Sequence, residues 1–322
     1  MGKKALVIGI DDYPNCPLAG CVNDAKDIAT LLERNEDGSK NFDVRLETQD
    51  LKKDKLLELI ETLFSKEDET ALLYFSGHGD AKDYAEYICA TDFSPSYPGV
   101  KLSDILELVN NSKCKNKVVI LDSCFSGGMG DCPFSGDKSV LTKGLTILSA
   151  SRNYEPSMES KGHGVFTHLL IEALKGGAAD LLGHITPGSI YAYIDKALGC
   201  WEQRPVFKTN IQEFISLRET KSPIAAEDLR ALKDLFPNKS NSINLDPSFE
   251  YTNNPKEKHE YVEPYSNENN VKIFKQLQRL ERVGLVEPVD AQHMYFAAMN
   301  SKSCKLTSLG LYYKTLAEKG RF

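Results

Sequence analysis

The chain has 322 residues, 41% hydrophobic and 26% charged, ordinary proportions for a globular protein of two domains, or one large and one small. A net charge of −7 argues against a general affinity for nucleic acid or anionic membrane. No run approaches the roughly 20 apolar residues of a membrane span. The apolar run at the amino end, Ala5 to Ile10, is too short for a signal peptide and meets acidic residues at once, so the expected location is cytoplasmic. Eight cysteines without a CxxC pair read as free thiols of a reducing compartment, not as a disulfide frame or a zinc site.

In chain order, residues 5–10 make a first strand that stops at Asp11, Asp12 and Tyr13. After a loop with Pro14 and Pro17, Asp24 starts a helix to Glu33, whose apolar positions 25, 28, 29 and 32 share one face. Residues 42–46 alternate as a short strand, 52–64 form an amphipathic helix, 71–75 an apolar strand and 76–86 a polar loop. A short strand at 87–92, a helix at 102–110, a central strand at 117–122 and a strand at 145–149 follow. Helices at 164–174 and 187–198 and a short strand at 205–207 complete the series. This repeated strand–helix order predicts an α/β domain over 1–218, with a mainly parallel sheet and helices on both faces. The glycine-rich stretch 125–144 reads as a long loop, and long loops in compact domains are usually functional. Beyond it, 219–269 reads as a linker with a helix at 225–235, rich in Asn, Ser, Pro, Glu and Tyr from 237 to 264. Residues 270–322, with helix 271–283, a strand at 294–298 and helix 307–319, suggest a small winged-helix-like module.

Two strand ends carry the chemistry. Val118 to Leu121 is a continuous apolar run, as expected of a strand buried on both faces, and it breaks off at Asp122, Ser123 and Cys124. Residues 71–75 break off likewise at Ser76, Gly77, His78 and Gly79. If these strands are neighbours, Cys124 and His78 meet at the carboxyl edge of the sheet, where open α/β sheets place their ligands. That pairing is a thiol nucleophile with its base. The plainer alternatives are an inert buried cysteine and a turn histidine; the glycines beside both residues favour function, because they let a substrate backbone approach.

Tyr74-Phe-Ser-Gly-His-Gly79, Leu121-Asp-Ser-Cys-Phe-Ser-Gly127 and Gly20-Cys-Val-Asn-Asp-Ala25 resemble the caspase-like clan of cysteine peptidases, specifically its metacaspase or prokaryotic caspase-like branch. The resemblance covers roughly the first two thirds of the chain. It departs from true caspases in having Asp122 and Ser123, not Gln and Ala, before the cysteine. It implies a six-stranded sheet and peptide-bond cleavage, with Cys124 attacking the carbonyl and His78 moving the proton. It also implies an oxyanion site made by the N–H groups of Gly79 and Cys124. Asp122 and Asp24 would line the first specificity pocket, and two carboxylates there demand a cation, hence cleavage of proteins or peptides after Arg or Lys. Their plainer alternatives are a loop-capping strand end for Asp122 and a helix N-cap for Asp24. The chemistry needs no cofactor. Some metacaspases use calcium, and Asp131 matches one ligand position, yet Asp104 stands without an acidic neighbour and calcium wants six to eight oxygens. Cys21 matches a second family cysteine, read as structural or auxiliary. A basic-specific protease could cut its own loop 125–144 at Lys138 or Lys143. A place in bacterial defence is an expectation of the family alone.

Residues 271–322 carry nine basic residues against four acidic, opposite to the balance of the whole chain. A regulatory protein partner bound at 270–322 is the favoured reading; DNA is the lesser one, since basic and aromatic residues do not interleave. The competing function for the whole chain is a catalytically vestigial scaffold that binds DNA or a regulator. A third is another thiol hydrolase on an α/β sheet.

Overall fold

The structure, a computed structural model, describes residues 2–14, 16–82, 85–94, 96–124, 129, 140–150, 159–160, 163–199, 204–211, 213–237, 241–254 and 261–322. These residues form two compact units, Met1–Lys221 and Ser222–Phe322.

In the first unit the elements are β1 (Lys3–Gly9), α1 (Cys21–Glu33), β2 (Asp43–Glu47), α2 (Lys53–Phe64), β3 (Thr70–Ser76), β4 (Gly79–Lys82), β5 (Ala85–Ile88) and β6 (Val100–Lys101). There follow α3 (Leu102–Asn111), β7 (Asn116–Asp122), β8 (Leu145–Ser149), β9 (Glu159–Ser160), β10 (His163–Gly164), α4 (Val165–Glu172), β11 (His184–Ile185), α5 (Pro187–Ala197), β12 (Val206–Thr209) and β13 (Arg218–Glu219). Six strands make the central sheet in the order β12-β8-β7-β3-β1-β2, all parallel except β12, which runs antiparallel to β8. β3, β7 and β8 are buried along their whole length, as their unbroken apolar runs require.

Alternation along these strands splits the interior into two cores. Leu6, Ile8, Leu73, Phe75, Val119 and Leu121 pack with α2 and α3 residues such as Leu56, Ile60 and Ile105. Val7, Leu72, Tyr74, Val118 and Ile120 face the other way, against Ala25 and Ile28 of α1, Leu170 of α4 and Ile190 of α5. Gly9 lets α1 approach, because a β-carbon there would collide with the Cys21 carbonyl and the Ala25 side chain.

Three local expectations change. The polar stretch 76–86 is not a plain loop: β4 and β5 pair antiparallel and β6 joins them in a small second sheet. Asp24 does not cap α1. The helix begins at Cys21, and the Asp11 carboxylate accepts from the N–H groups of Cys21 (2.9 Å) and Val22 (3.3 Å). A long-range cap of this kind leaves no local sequence mark. The helix expected over 164–174 closes at Glu172 into a wide turn, Ala173–Gly177, where Gly176 has φ of 123°.

The second unit holds α6 (Ala226–Leu235), β14 (Ser242–Asn244), a short 3₁₀ turn (Pro247–Phe249), α7 (Glu268–Arg282), β15 (Val286–Val289), α8 (Met294–Met299), β16 (Ser303–Leu306) and α9 (Ser308–Glu318). The expected strand at 294–298 is the helix α8, with Met294, Ala297 and Ala298 buried at helical spacing. Five apolar residues fit either period, and the Met and Ala content favours the helix. The stretch expected to be a linker contributes α6, β14 and the 3₁₀ turn to this unit; β14 pairs with β16 in the antiparallel order β14-β16-β15. Among the described residues no helix is long and apolar enough to cross a membrane.

Candidate active site

β3 and β7 pair in register from Thr70 opposite Asn116 to Ser76 opposite Asp122. His78 and Cys124 therefore stand two residues beyond the last paired positions of neighbouring strands. The chain ends cross-link there: Gly77 N–H donates to the Asp122 carbonyl at 3.3 Å. A β-carbon on Gly79 would collide with the carbonyl oxygen of Cys124, so the residue after His78 must be glycine for the two segments to lie this close. His78 and Cys124 are both half-buried.

His78 is held from several sides. Its N–H donates to the Tyr13 hydroxyl at 3.1 Å, which in turn donates to the Cys89 carbonyl at 3.2 Å. Cys89 N–H donates back to the His78 carbonyl at 2.9 Å. The Tyr13 and His78 rings lie 4.7 Å apart at 58°. Nε2 of His78 lies 2.7 Å from the Cys16 carbonyl oxygen. A carbonyl only accepts, so this contact assigns the proton to Nε2 and leaves Nδ1 as the basic nitrogen of the neutral ring. Burial pushes the Tyr13 phenol well above its ordinary range, so it remains a donor.

The carboxylates lie on one face of the sheet. Asp122 follows Val118 and Ile120 in the alternation, toward α1 and α4, and Asp24 comes from the first turn of α1; they are 5% and 1% exposed. Asp122 Oδ2 accepts from Thr167 Oγ1 of α4 at 2.7 Å, and Thr167 lies 2.7 Å from the Tyr74 hydroxyl. Cys21 opens α1. Burial raises its thiol pKa far above the ordinary value, and Asp11, Asp122 and Asp24 add to that rise against a hydrogen bond with Ser76. It is a neutral thiol, unsuited to be a nucleophile at neutral pH.

The fold brings the five residues expected from the sequence, Cys124, His78, Gly79, Asp24 and Asp122, to one end of the sheet. Sequence reasoning gave no role to Tyr13, Cys16, Asp11, Tyr74 or Thr167, whose contacts here join residues distant in sequence; Asp11 and Tyr13 follow a strand end and Tyr74 opens the motif that holds His78. Asp131 and Lys138, with most of loop 125–144, lie outside the described residues. Lys143 is exposed, and its carbonyl accepts from the buried Lys117 ammonium at 2.7 Å. Among the described residues no group of three His, Cys, Asp or Glu side chains is arranged to hold a metal ion, and no disulfide forms.

Residues 2–214 match the family model described as the caspase domain. The chain belongs to the caspase-domain family, a family of cysteine-type peptidases acting on proteins. Among solved structures it is similar to the crystal structure of protein GSU0716 from Geobacter sulfurreducens, at 19% identity and a TM-score of 0.50, covering 68% of this chain and 97% of that one. That likeness concerns the fold alone. No curated protein matches the chain at a significant level.

Proposed function

We propose that the protein is a cysteine endopeptidase that cleaves proteins after Arg or Lys through Cys124 and His78. The observation that carries this reading is that two buried carboxylates, Asp24 in the first turn of α1 and Asp122 at the end of β7, lie toward one face of the sheet whose paired strand ends lead into His78 and Cys124. Burying two like-charged carboxylates together is costly, and a cationic side chain of the substrate offsets that cost. Arginine gains more than lysine, because its planar fork meets carboxylates through two hydrogen bonds.

In this mechanism Nδ1 of His78 takes the proton from the Cys124 thiol, and the sulfur adds to the scissile carbonyl carbon. The N–H groups of Gly79 and Cys124 hold the developing oxyanion. As the carbon–nitrogen bond breaks, His78 passes its proton to the leaving amine, leaving a thioester. Water then attacks, giving one proton to His78 and releasing the acid; that proton returns to the sulfur. No cofactor enters the steps. The C-terminal unit, or a regulatory protein bound through 270–322, gates the activity, on the strength of its basic surplus; nucleic acid is the less favoured ligand there.

Fluorogenic peptides with Arg, Lys or Asp before the scissile bond, assayed in calcium and in EDTA, test the proposal. Expected are turnover after Arg above Lys, none after Asp, and equal rates with and without calcium. Cys124→Ala abolishes turnover with the fold intact, and Asp24→Asn or Asp122→Asn raises KM for Arg peptides by roughly thirtyfold. A folded wild type that cleaves no peptide would point to the scaffold reading.

A further inference from the structure

Behind the pocket carboxylates lies a polar chain in a place built for apolar packing. Tyr74 and Thr167 are both fully buried at 0% exposure, among Ile120, Phe166 and Leu170. Valine would fill the space of Thr167 without burying a hydroxyl, so its oxygen is explained by its bonds. A threonine hydroxyl has one proton, and Asp122 Oδ2, 2.7 Å away, accepts it. Thr167 Oγ1 then accepts from the Tyr74 hydroxyl, also at 2.7 Å. The chain therefore runs one way, Tyr74 to Thr167 to Asp122. Burial first, then the charges of Asp122 and Asp24, push the Tyr74 phenol well above its ordinary range, so the donor end never ionises at working pH.

This direction bears on specificity. A carboxylate turns easily about its last torsion, whereas a guanidinium pairs through two bonds only with a carboxylate held in one plane. The register sets the geometry: Tyr74 lies opposite Ile120 and Ser76 opposite Asp122, so Tyr74 and Asp122 are diagonal neighbours on one face, with Thr167 of α4 above them. We propose that Thr167, itself oriented by Tyr74, is a positioning residue of the specificity pocket, fixing the Asp122 carboxylate for a substrate arginine. The inference rests on the reading of Asp122 as a pocket residue.

Three variants of the full chain test it. Thr167→Val raises KM for Arg peptides about tenfold with kcat within about twofold. It also moves the acid limb of kcat/KM to higher pH, because a carboxylate that loses a donor has a higher pKa. Thr167→Ser restores both, and Tyr74→Phe gives a smaller change in the same sense. Carbon-13 titration of the Asp122 carboxyl group reads the contact without substrate, and its midpoint rises in Thr167→Val. An unmoved midpoint in folded Thr167→Val overturns the proposal, as does a moved midpoint with wild-type KM and pH profile. If Asp122→Asn itself leaves Arg cleavage untouched, the pocket reading fails and takes the specificity role with it, even where the titration shifts. Should Thr167→Val not fold, Tyr74→Phe against Thr167→Ser decides by the same readouts.

Discussion

At the scale of single residues, the candidate site depends on side chains that never meet substrate. Tyr13 shows this most directly. Its hydroxyl accepts from the His78 N–H and donates to the Cys89 carbonyl, while its ring lies against the imidazole. Phenylalanine would keep the ring and lose both hydrogen bonds, each of about 1 kcal/mol. The expected result for Tyr13→Phe is a kcat lower by roughly tenfold with KM little changed, since the loss bears on the proposed base and not on the proposed specificity pocket. Steady-state kinetics on an Arg peptide, with a thermal melt to confirm folding, measures it; a change confined to KM would show that Tyr13 does not act through His78.

At the scale of elements, α6 and α7 are joined by a charged clasp. Asp228 of α6, 3% exposed, accepts from Arg279 Nε at 2.6 Å and Nη2 at 2.7 Å, with Gln276 at 3.3 Å. The Arg279 hydrogen bonds hold the Asp228 carboxyl below its usual range, against the opposing effect of burial. A carboxyl whose pKa is lower when folded than unfolded stabilises the fold above its unfolded pKa. That contribution is lost as pH falls through the folded value. Asp228→Asn should therefore destabilise the second unit by about 2 kcal/mol at neutral pH, and the gap to wild type should close as pH falls below about 4. Urea unfolding across pH, with hydrogen exchange over Glu268–Arg282 to localise the effect, checks this; a gap that persists at low pH would assign the loss to packing.

At the scale of the whole molecule, the chain carries a net charge of −7 and a pI of about 5.5, and the proposed pocket is itself acidic. Such a field attracts cationic peptides and is screened by salt, with a Debye length near 10 Å at 0.1 M. Turnover of Arg peptides should therefore fall severalfold in kcat/KM between about 0.02 and 0.5 M NaCl, chiefly through KM. Neutral-flanked and acidic-flanked Arg peptides separate the two contributions. If screening affects both alike, the pocket is its source; if the acidic-flanked peptide gains with salt, the general field is.

Much of this was legible in the amino-acid sequence. Apolar runs of strand length, alternating with amphipathic helices, require a mainly parallel sheet covered on both faces, and two such runs ending in Gly-His-Gly and Asp-Ser-Cys placed the candidate nucleophile and base at its carboxyl edge. These features are local, because burial on two faces and sharp turns dictate residue type position by position. Contacts between residues far apart in sequence were decided only by the tertiary structure. The Asp11 cap on α1, the Tyr13 and Cys16 contacts to His78 and the Tyr74–Thr167–Asp122 chain join side chains whose types are unremarkable in their own segments. The same limit hid β14, whose three polar-flanked residues become a strand only because β16 offers its edge, and α8, whose five apolar residues satisfy either period until neighbours choose between them.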